Sequence, residues 1–211
     1  MCALAERINA CRLCVEAPIK RPLPHEPRPV AVLSTDARIV VCGQAPGLRV
    51  HKSGRPFTDP SGDRLRKWMN VDEATFYDAG KLSIVPMGFC FPGYDARGAD
   101  MPPRRECKAN WHDAVFAAMP QVKLVLAIGG YAQDYHLPRR LTAEGKRPNL
   151  TQTVADWRTH MAPRNDGPCP GAAVFALPHP SWRNNAWLKR NSWFEAEVLP
   201  QLRKHVSDCL S

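Results

Sequence analysis

The chain lacks long apolar runs. No stretch approaches the roughly eighteen consecutive apolar residues of a membrane-spanning helix, so no membrane partner is expected. It lacks a basic segment followed by an apolar one near its first residue, the pattern of a secretory leader, and a cytoplasmic location is expected. Two phosphate-loop patterns are also missing. Gly43-Gln44-Ala45-Pro46-Gly47 has no Gly-Lys-Ser/Thr ending and does not fit G-x-G-x-x-G, which leaves mononucleotide and dinucleotide loops unsupported. There is no internal repeat and no low-complexity tract. Acidic residues are short in number: 20 against 29 Lys and Arg, for a net charge of +9.

That imbalance, with a pI near 9.4, favours an anionic partner. A charge spread over all faces would serve solubility alone. Here the cations cluster at Arg64, Arg66 and Lys67, at Arg104, Arg105 and Lys108, and at Arg183, Lys189 and Arg190. At 211 residues the chain suits a single domain spanning 1–211, large enough to bury a core without staples. A monomer is expected. Residues 18–32 carry Pro18, Pro22, Pro24, Pro27 and Pro29 and read as an extended connecting segment.

Four short apolar runs, at 37–43, 82–88, 122–129 and 171–178, do not alternate with polar residues, as strands buried on both faces should not. Helical segments alternate with them: 3–14 ending in Cys-Arg-Leu-Cys, Ser61–Asn70, Arg105–Met119, Ala132–His136, Thr151–Met161, and Trp187–Val206 with a break near Pro200. The order predicts an α/β fold, a three-layer α/β/α sandwich around a four-stranded, mainly parallel sheet.

In such sheets ligands bind outside the carboxyl ends of the strands. Two strings fall there. Gly43-Gln44-Ala45-Pro46-Gly47 follows the first run, and its glycines would let backbone N–H groups approach a ligand; by itself it is equally a structural turn. His179-Pro180-Ser181-Trp182-Arg183-Asn184-Asn185 follows the last run. Arg and Asn suit phosphates and base edges, and Trp182 suits a wedge or stacking surface. The same stretch would also serve as a helix entry capped by Asn184 or Asn185. Between the strings, Phe57 would stack on a planar ligand or plug the core. Asp59 reads as a general base or a helix cap, and Asp63 as a dipole or salt-bridge carboxylate.

The chain has eight cysteines. Reduced thiols are expected in the cytoplasm, so a cluster of them reads as a metal site. Cys11-x2-Cys14 is a weak signal alone. Cys90 just past a strand and Cys107 at a helix start strengthen it, and spacing leaves metal and no metal open. Cys42 reads as a core residue.

Together these residues resemble the uracil-DNA glycosylase superfamily, above all its iron–sulfur families four and five, from about Cys11 onward. Gly43-Gln44-Ala45-Pro46-Gly47 resembles the signature G-E-A-P-G, Gly54-Arg55-Pro56-Phe57 the G-R-P-F block, and His179-Pro180-Ser181 the H-P-S signature. Thr58-Asp59-Pro60-Ser61-Gly62-Asp63 is nearer the family-five pattern. The resemblance implies hydrolysis of uracil or a related deaminated base from single- or double-stranded DNA. It implies His179 and Asp59 in catalysis and Gly43, Gln44, Ala45, Phe57 and Met87 around the base. Ser181, Trp182, Arg183 and Asn184 would meet DNA, and Cys11, Cys14, Cys90 and Cys107 would hold a [4Fe–4S] cluster, with zinc or no metal as alternatives. Three departures qualify it. Pro86 stands where family four has its pyrimidine-reading asparagine, which points to a looser pocket. Ala45 lacks the water-handling side chain of some relatives, leaving Asp59 first and Asp95 second for that task. The segment from Phe91 to Arg104 is an insertion with its own glycines and prolines, placed to border the pocket. The competing class is a catalytically weak or covalently trapping DNA-binding member.

Overall fold

The computed structural model describes residues 1–138, 141–163, 165 and 167–211. Four strands, β1 (Ile39–Cys42), β2 (Leu82–Ile84), β3 (Leu124–Ile128) and β4 (Ala173–Leu177), form one sheet in the order β2-β1-β3-β4. All three pairings are parallel, with Val40 opposite Ser83 and Val125, and Leu126 opposite Phe175. The expected three-layer α/β architecture is the one observed, and each strand is three or four residues shorter than its apolar run.

Successive residues of each strand enter opposite cores. Ile39, Val41, Leu124, Leu126 and Phe175 pack with α4 (Pro60–Met69), α5 (Glu73–Phe76) and the C-terminal helix α12 (Leu199–Leu210). Val40, Cys42, Val125, Ala127 and Val174 pack with α1 (Cys2–Asn9), with the helix made of α6 (Arg105–Cys107), a π-turn and α7 (Asp113–Ala117), and with α8 (Gly130–His136). Both faces are therefore dry, which is why the strands carry continuous apolar runs. Among the described residues no helix is long and apolar enough to cross a membrane.

Three helix boundaries differ from expectation. The segment 3–14 is α1 followed by a separate turn, α2 (Leu13–Glu16). The chain turns at Ala10, which takes Cys11 and Cys14 off a common helical face. Thr151–Met161 is two short helices, α9 (Leu150–Ala155) and α10 (Trp157–His160). The last helical region breaks at Asn191, not at Pro200, between α11 (Asn185–Arg190) and the π-turn Phe194–Val198. Pro200 follows directly on the π-turn Phe194–Val198, and the helix runs on through it into α12. A short helix, α3 (Leu48–Ser53), was not foreseen; Gly47 starts it and Gly54, with φ 72°, ends it.

The turn into α4 is tightly built. Phe57 has φ 55°, rare for a side chain of this size. Its carbonyl accepts from Arg66 Nη1 at 3.3 Å and Tyr77 Oη at 3.1 Å. Gly62 lies beneath, where a Cβ would stand 1.9 Å from that carbonyl oxygen. In an ordinary helix Gly→Ala gains about 1 kcal/mol. Here Gly62→Ala is expected to lose about 1–3 kcal/mol through overpacking, read as a lower midpoint in urea unfolding; an unchanged or raised midpoint would contradict this packing.

Candidate active site

The strand order places the reversal of chain direction across the sheet between β1 and β3, and the crevice opens at the carboxyl ends of the strands. Four segments meet there: the Gly43 loop, the Phe57 turn, the insertion after Cys90 and the His179 loop.

The Gly43 loop continues the pairing of β1 beyond the sheet. Val85 N–H donates to Val41 O, Met87 N–H to Gly43 O and Gly88 N–H to Gln44 O, each at 2.9 Å. Met87 thus abuts the loop through its backbone, while its buried side chain joins the core beneath. The Phe57 ring tip lies by Gly43, within 3.9 Å of where a Cβ would be. Half-buried, the ring meets Phe76 edge-on at 5.8 Å. The ring packs on the core, one of its two sequence readings, and it also borders the crevice.

The insertion folds back on itself. Tyr94 and Asp100 form an antiparallel bridge, and Met101 N–H donates to Gly93 O at 2.9 Å. Asp95 Oδ1 accepts from the N–H groups of Arg97 and Ala99 at 2.8 and 2.9 Å, so this carboxylate is occupied in closing the turn. Gln44 Nε2 donates to Met101 O at 3.2 Å, which fastens the insertion to the Gly43 loop.

The His179 loop leaves β4 where Leu177 O accepts from Gly129 N–H and Gln133 Nε2. His179 Nδ1 accepts from Ser181 N–H at 3.2 Å, which places the neutral ring's proton on Nε2. Burial holds its pKa below the usual histidine value; Asp59 and Asp100 oppose that effect and Arg183 adds to it. The imidazole is thus a neutral donor near two carboxylates. Asn184 Nδ2 donates to His179 O at 2.7 Å rather than capping α11, and Arg64 Nη1 donates to Ser181 O at 3.1 Å. Trp182 is 74% exposed with Arg183 beside its ring.

Asp59 does two things at once. Its Oδ1 caps α4 by accepting from Gly62 N–H at 3.3 Å, and the carboxylate still acts on His179. Asp63 pairs with Arg66 at 2.6 Å, as a salt-bridge carboxylate should. Asp100 was not foreseen, because only the folding of the insertion brings it to the crevice. Arg64 and the Gln44 tether were missed for the same reason, since each acts through a long-range contact; the Ser181 N–H acts on His179 two residues away and was missed because a backbone donor leaves no side-chain pattern.

The four cysteines of the sequence pattern interact pairwise. Cys14 and Cys107 share a hydrogen bond, and Cys90 is within electrostatic reach of Cys11 and Cys14. Trp111 Nε1 donates to Cys11 Sγ at 3.4 Å and Phe89 N–H to Cys107 Sγ at 3.3 Å. The bond from Cys107 lowers the Cys14 pKa to about 7, whereas burial raises Cys90 to about 12. Among the described residues no three such side chains stand in a ready ligand shell. The donor chemistry, four thiols with N–H groups aimed at two of them, suits a thiophilic metal.

A solution NMR structure from Methanosarcina acetivorans, provisionally named a uracil DNA glycosylase, is similar over 84% of this chain and 95% of that one, with 13% identity and a TM-score of 0.48. The sequence profile of the Uracil DNA glycosylase superfamily matches residues 30–203, a span that holds the Gly43 loop, Phe57, the insertion and the His179 loop. The chain belongs to the uracil DNA glycosylase superfamily.

Proposed function

We propose that the protein hydrolyses the N-glycosidic bond of uracil, or a related deaminated base, in DNA and so starts base excision repair, without cutting the strand itself. The observation that carries this reading is the tautomer of His179. A neutral, half-buried imidazole whose Nδ1 is taken by Ser181 N–H has one proton to offer, on Nε2.

The base must leave the duplex stack, or come from a single strand, to reach the crevice. Phe57 would stack on it, and backbone groups of the Gly43 loop would read a carbonyl. Pro86 offers neither an amide nor an N–H, so discrimination among deaminated bases would be loose. As the bond breaks, negative charge grows on the base and positive charge on the sugar. His179 Nε2–H would donate to the base oxygen, and one such preorganised donor is worth about 3–4 kcal/mol. Asp59 would hold the water that adds to the sugar, through the oxygen not used in capping. Trp182, Arg183 and Asn184 would fill the gap in the strand.

We also propose that Cys11, Cys14, Cys90 and Cys107 hold a [4Fe–4S] cluster. When bound it would supply structural cross-linking between the N-terminal helices and the crevice segments. Purified protein is expected to be brown and to contain iron and acid-labile sulfide in equal amount, both lost in Cys14→Ser. Zinc, or no metal, in the native protein would refute the cluster.

The function is tested with uracil-containing single- and double-stranded oligonucleotides, followed by alkaline cleavage at abasic sites. His179→Ala should lower the single-turnover rate by about 10²–10³-fold. Asp59→Asn keeps a good helix cap, so its unfolding midpoint should hold while the rate falls by about 10²-fold or more. With the His179 pKa depressed, the ring stays neutral at neutral pH and above, and activity should fall only as acid protonates Nδ1 and breaks the Ser181 bond. Absence of base release from either substrate would refute the reading. A protein–DNA band that survives denaturation would mark a trapped sugar instead.

A further inference from the structure

Beside the crevice lies a surface groove that the proposed chemistry leaves unused. Its volume is about 610 Å³, and it is lined by Leu48, Arg49, Lys52, Ser53 and Tyr94. One wall is α3, which starts at Gly47, the last residue of the Gly43 loop. The other is the insertion hairpin, which Gln44 fastens to that same loop. The groove therefore begins where the wall of the crevice ends.

Its lining is cationic and aromatic. Arg49 and Lys52 are exposed, and among the described residues neither is in a salt bridge. Arg28 Nη1 donates to Lys52 O at 2.9 Å, which fixes the end of α3. Tyr94 is 50% exposed. Its ring stands edge-on to the buried Phe91 at 5.1 Å, and Phe91 in turn stacks on His25 at 5.5 Å. An edge-on contact fixes the plane of the Tyr94 ring and leaves half of its surface open. The hairpin that carries it is stiffened by the Tyr94–Asp100 bridge and the Asp95 turn. A second surface cavity, of about 580 Å³, offers a contrast. Asp63, Asp72 and Glu73 line it beside Arg66 and Lys67, and it has no aromatic ring.

We propose that the Tyr94 groove takes the nucleotide next to the extruded one on the same DNA strand, with its base on the Tyr94 ring and its phosphates on Arg49 and Lys52. A base so placed has left its own stack, so the groove favours an unpaired strand. Cations that track phosphates beside a ring that takes any base are the working parts of single-strand recognition. The identity of the strand as substrate rests on the glycosylase reading; the groove as a binding site does not.

The test uses fluorescence anisotropy with a single-stranded oligonucleotide carrying 2′-fluoro-2′-deoxyuridine, which resists hydrolysis, and with the same oligonucleotide carrying thymidine instead. Tyr94→Ala is expected to weaken binding about tenfold, and Tyr94→Phe to keep it. Arg49→Ala with Lys52→Ala should flatten the slope of log affinity against log salt by about 1.4, the share of two single-strand phosphates. An abasic residue at one flanking position should cost the wild type about as much as Tyr94→Ala does, and cost Tyr94→Ala little more. Unchanged affinity in Tyr94→Ala, or an unchanged salt slope in the double variant, would overturn the groove. Base release by the wild type is assayed separately on uracil DNA: its absence would defeat the glycosylase reading and leave the anisotropy result to decide the groove.

Discussion

The site depends on a pairing that outlasts the sheet. Beyond the last residues of β1 and β2, the backbone of 85–88 stays bonded to 41–44. In this ladder the N–H groups of Val85 and Met87 face β1, so that of residue 86 would face away. Proline at that position costs no ladder hydrogen bond. Two residues earlier, on the same outward side, Ile84 exchanges both its backbone bonds with Val32. Proline at residue 86 is therefore compatible with an undisturbed floor. That floor is braced from below: His112 places its ring nitrogens 3.0 Å from Cys107 O and 3.1 Å from Pro86 O, with its ring stacked on Phe89. The cysteine segment and the floor of the crevice are one mechanical unit.

Against this floor the Phe57 turn stores strain. A residue in the left-handed region costs of order 1–3 kcal/mol unless its surroundings determine it. Three contacts do so here: Gly62 beneath the carbonyl, and Arg66 and Tyr77 as its donors. Arg66 is itself held by Asp63, and Tyr77 also donates to Pro56 O at 2.7 Å. The run from Gly54 to Asp63 thus carries two tasks. Its glycines and carboxylates shape the turn, and the turn presents the Phe57 ring beside Gly43.

Much of this was legible in the sequence, for reasons that differ from part to part. The strands could be read because burial on both faces demands continuous apolar runs, and the α/β order follows from what lies between them. The two loops could be read because proline and glycine after such runs leave few alternatives. Helix α3 was missed because it is one and a half turns long and carries no apolar stripe; only its flanking glycines mark it. The break at Asn191 was misplaced because Pro200 is the stronger local signal, yet the helix that begins with the π-turn runs on through Pro200. Asp100 was illegible because its place depends on the hairpin, and the hairpin on Asp95, which by pattern looked like the more interesting carboxylate. The cysteine pattern was legible as a pattern, and the folded chain joins two of its members, Cys14 and Cys107, by a hydrogen bond.

The charge of the chain poses a remaining question, since the residues nearest His179 include two carboxylates while the protein as a whole is strongly basic. Long-range cations and local anions act at different ranges. Exposed cations more than about 10 Å away are screened by salt and serve encounter and phosphate contact. A carboxylate about 4 Å from a developing sugar cation interacts by about 4 kcal/mol at a partly buried site. In the proposed reaction the same carboxylates would repel the flanking phosphates, and Arg64 and Arg183, both at the His179 loop, would offset them. A neutral His179 fits this balance. A charged one would draw its stabilisation from Asp59 and Asp100 in the ground state, and in the proposed reaction this would weaken both the hold on the water and the field at the sugar. In the proposed reaction a half-buried, neutral imidazole would leave both carboxylates for the charge that appears only as the bond breaks.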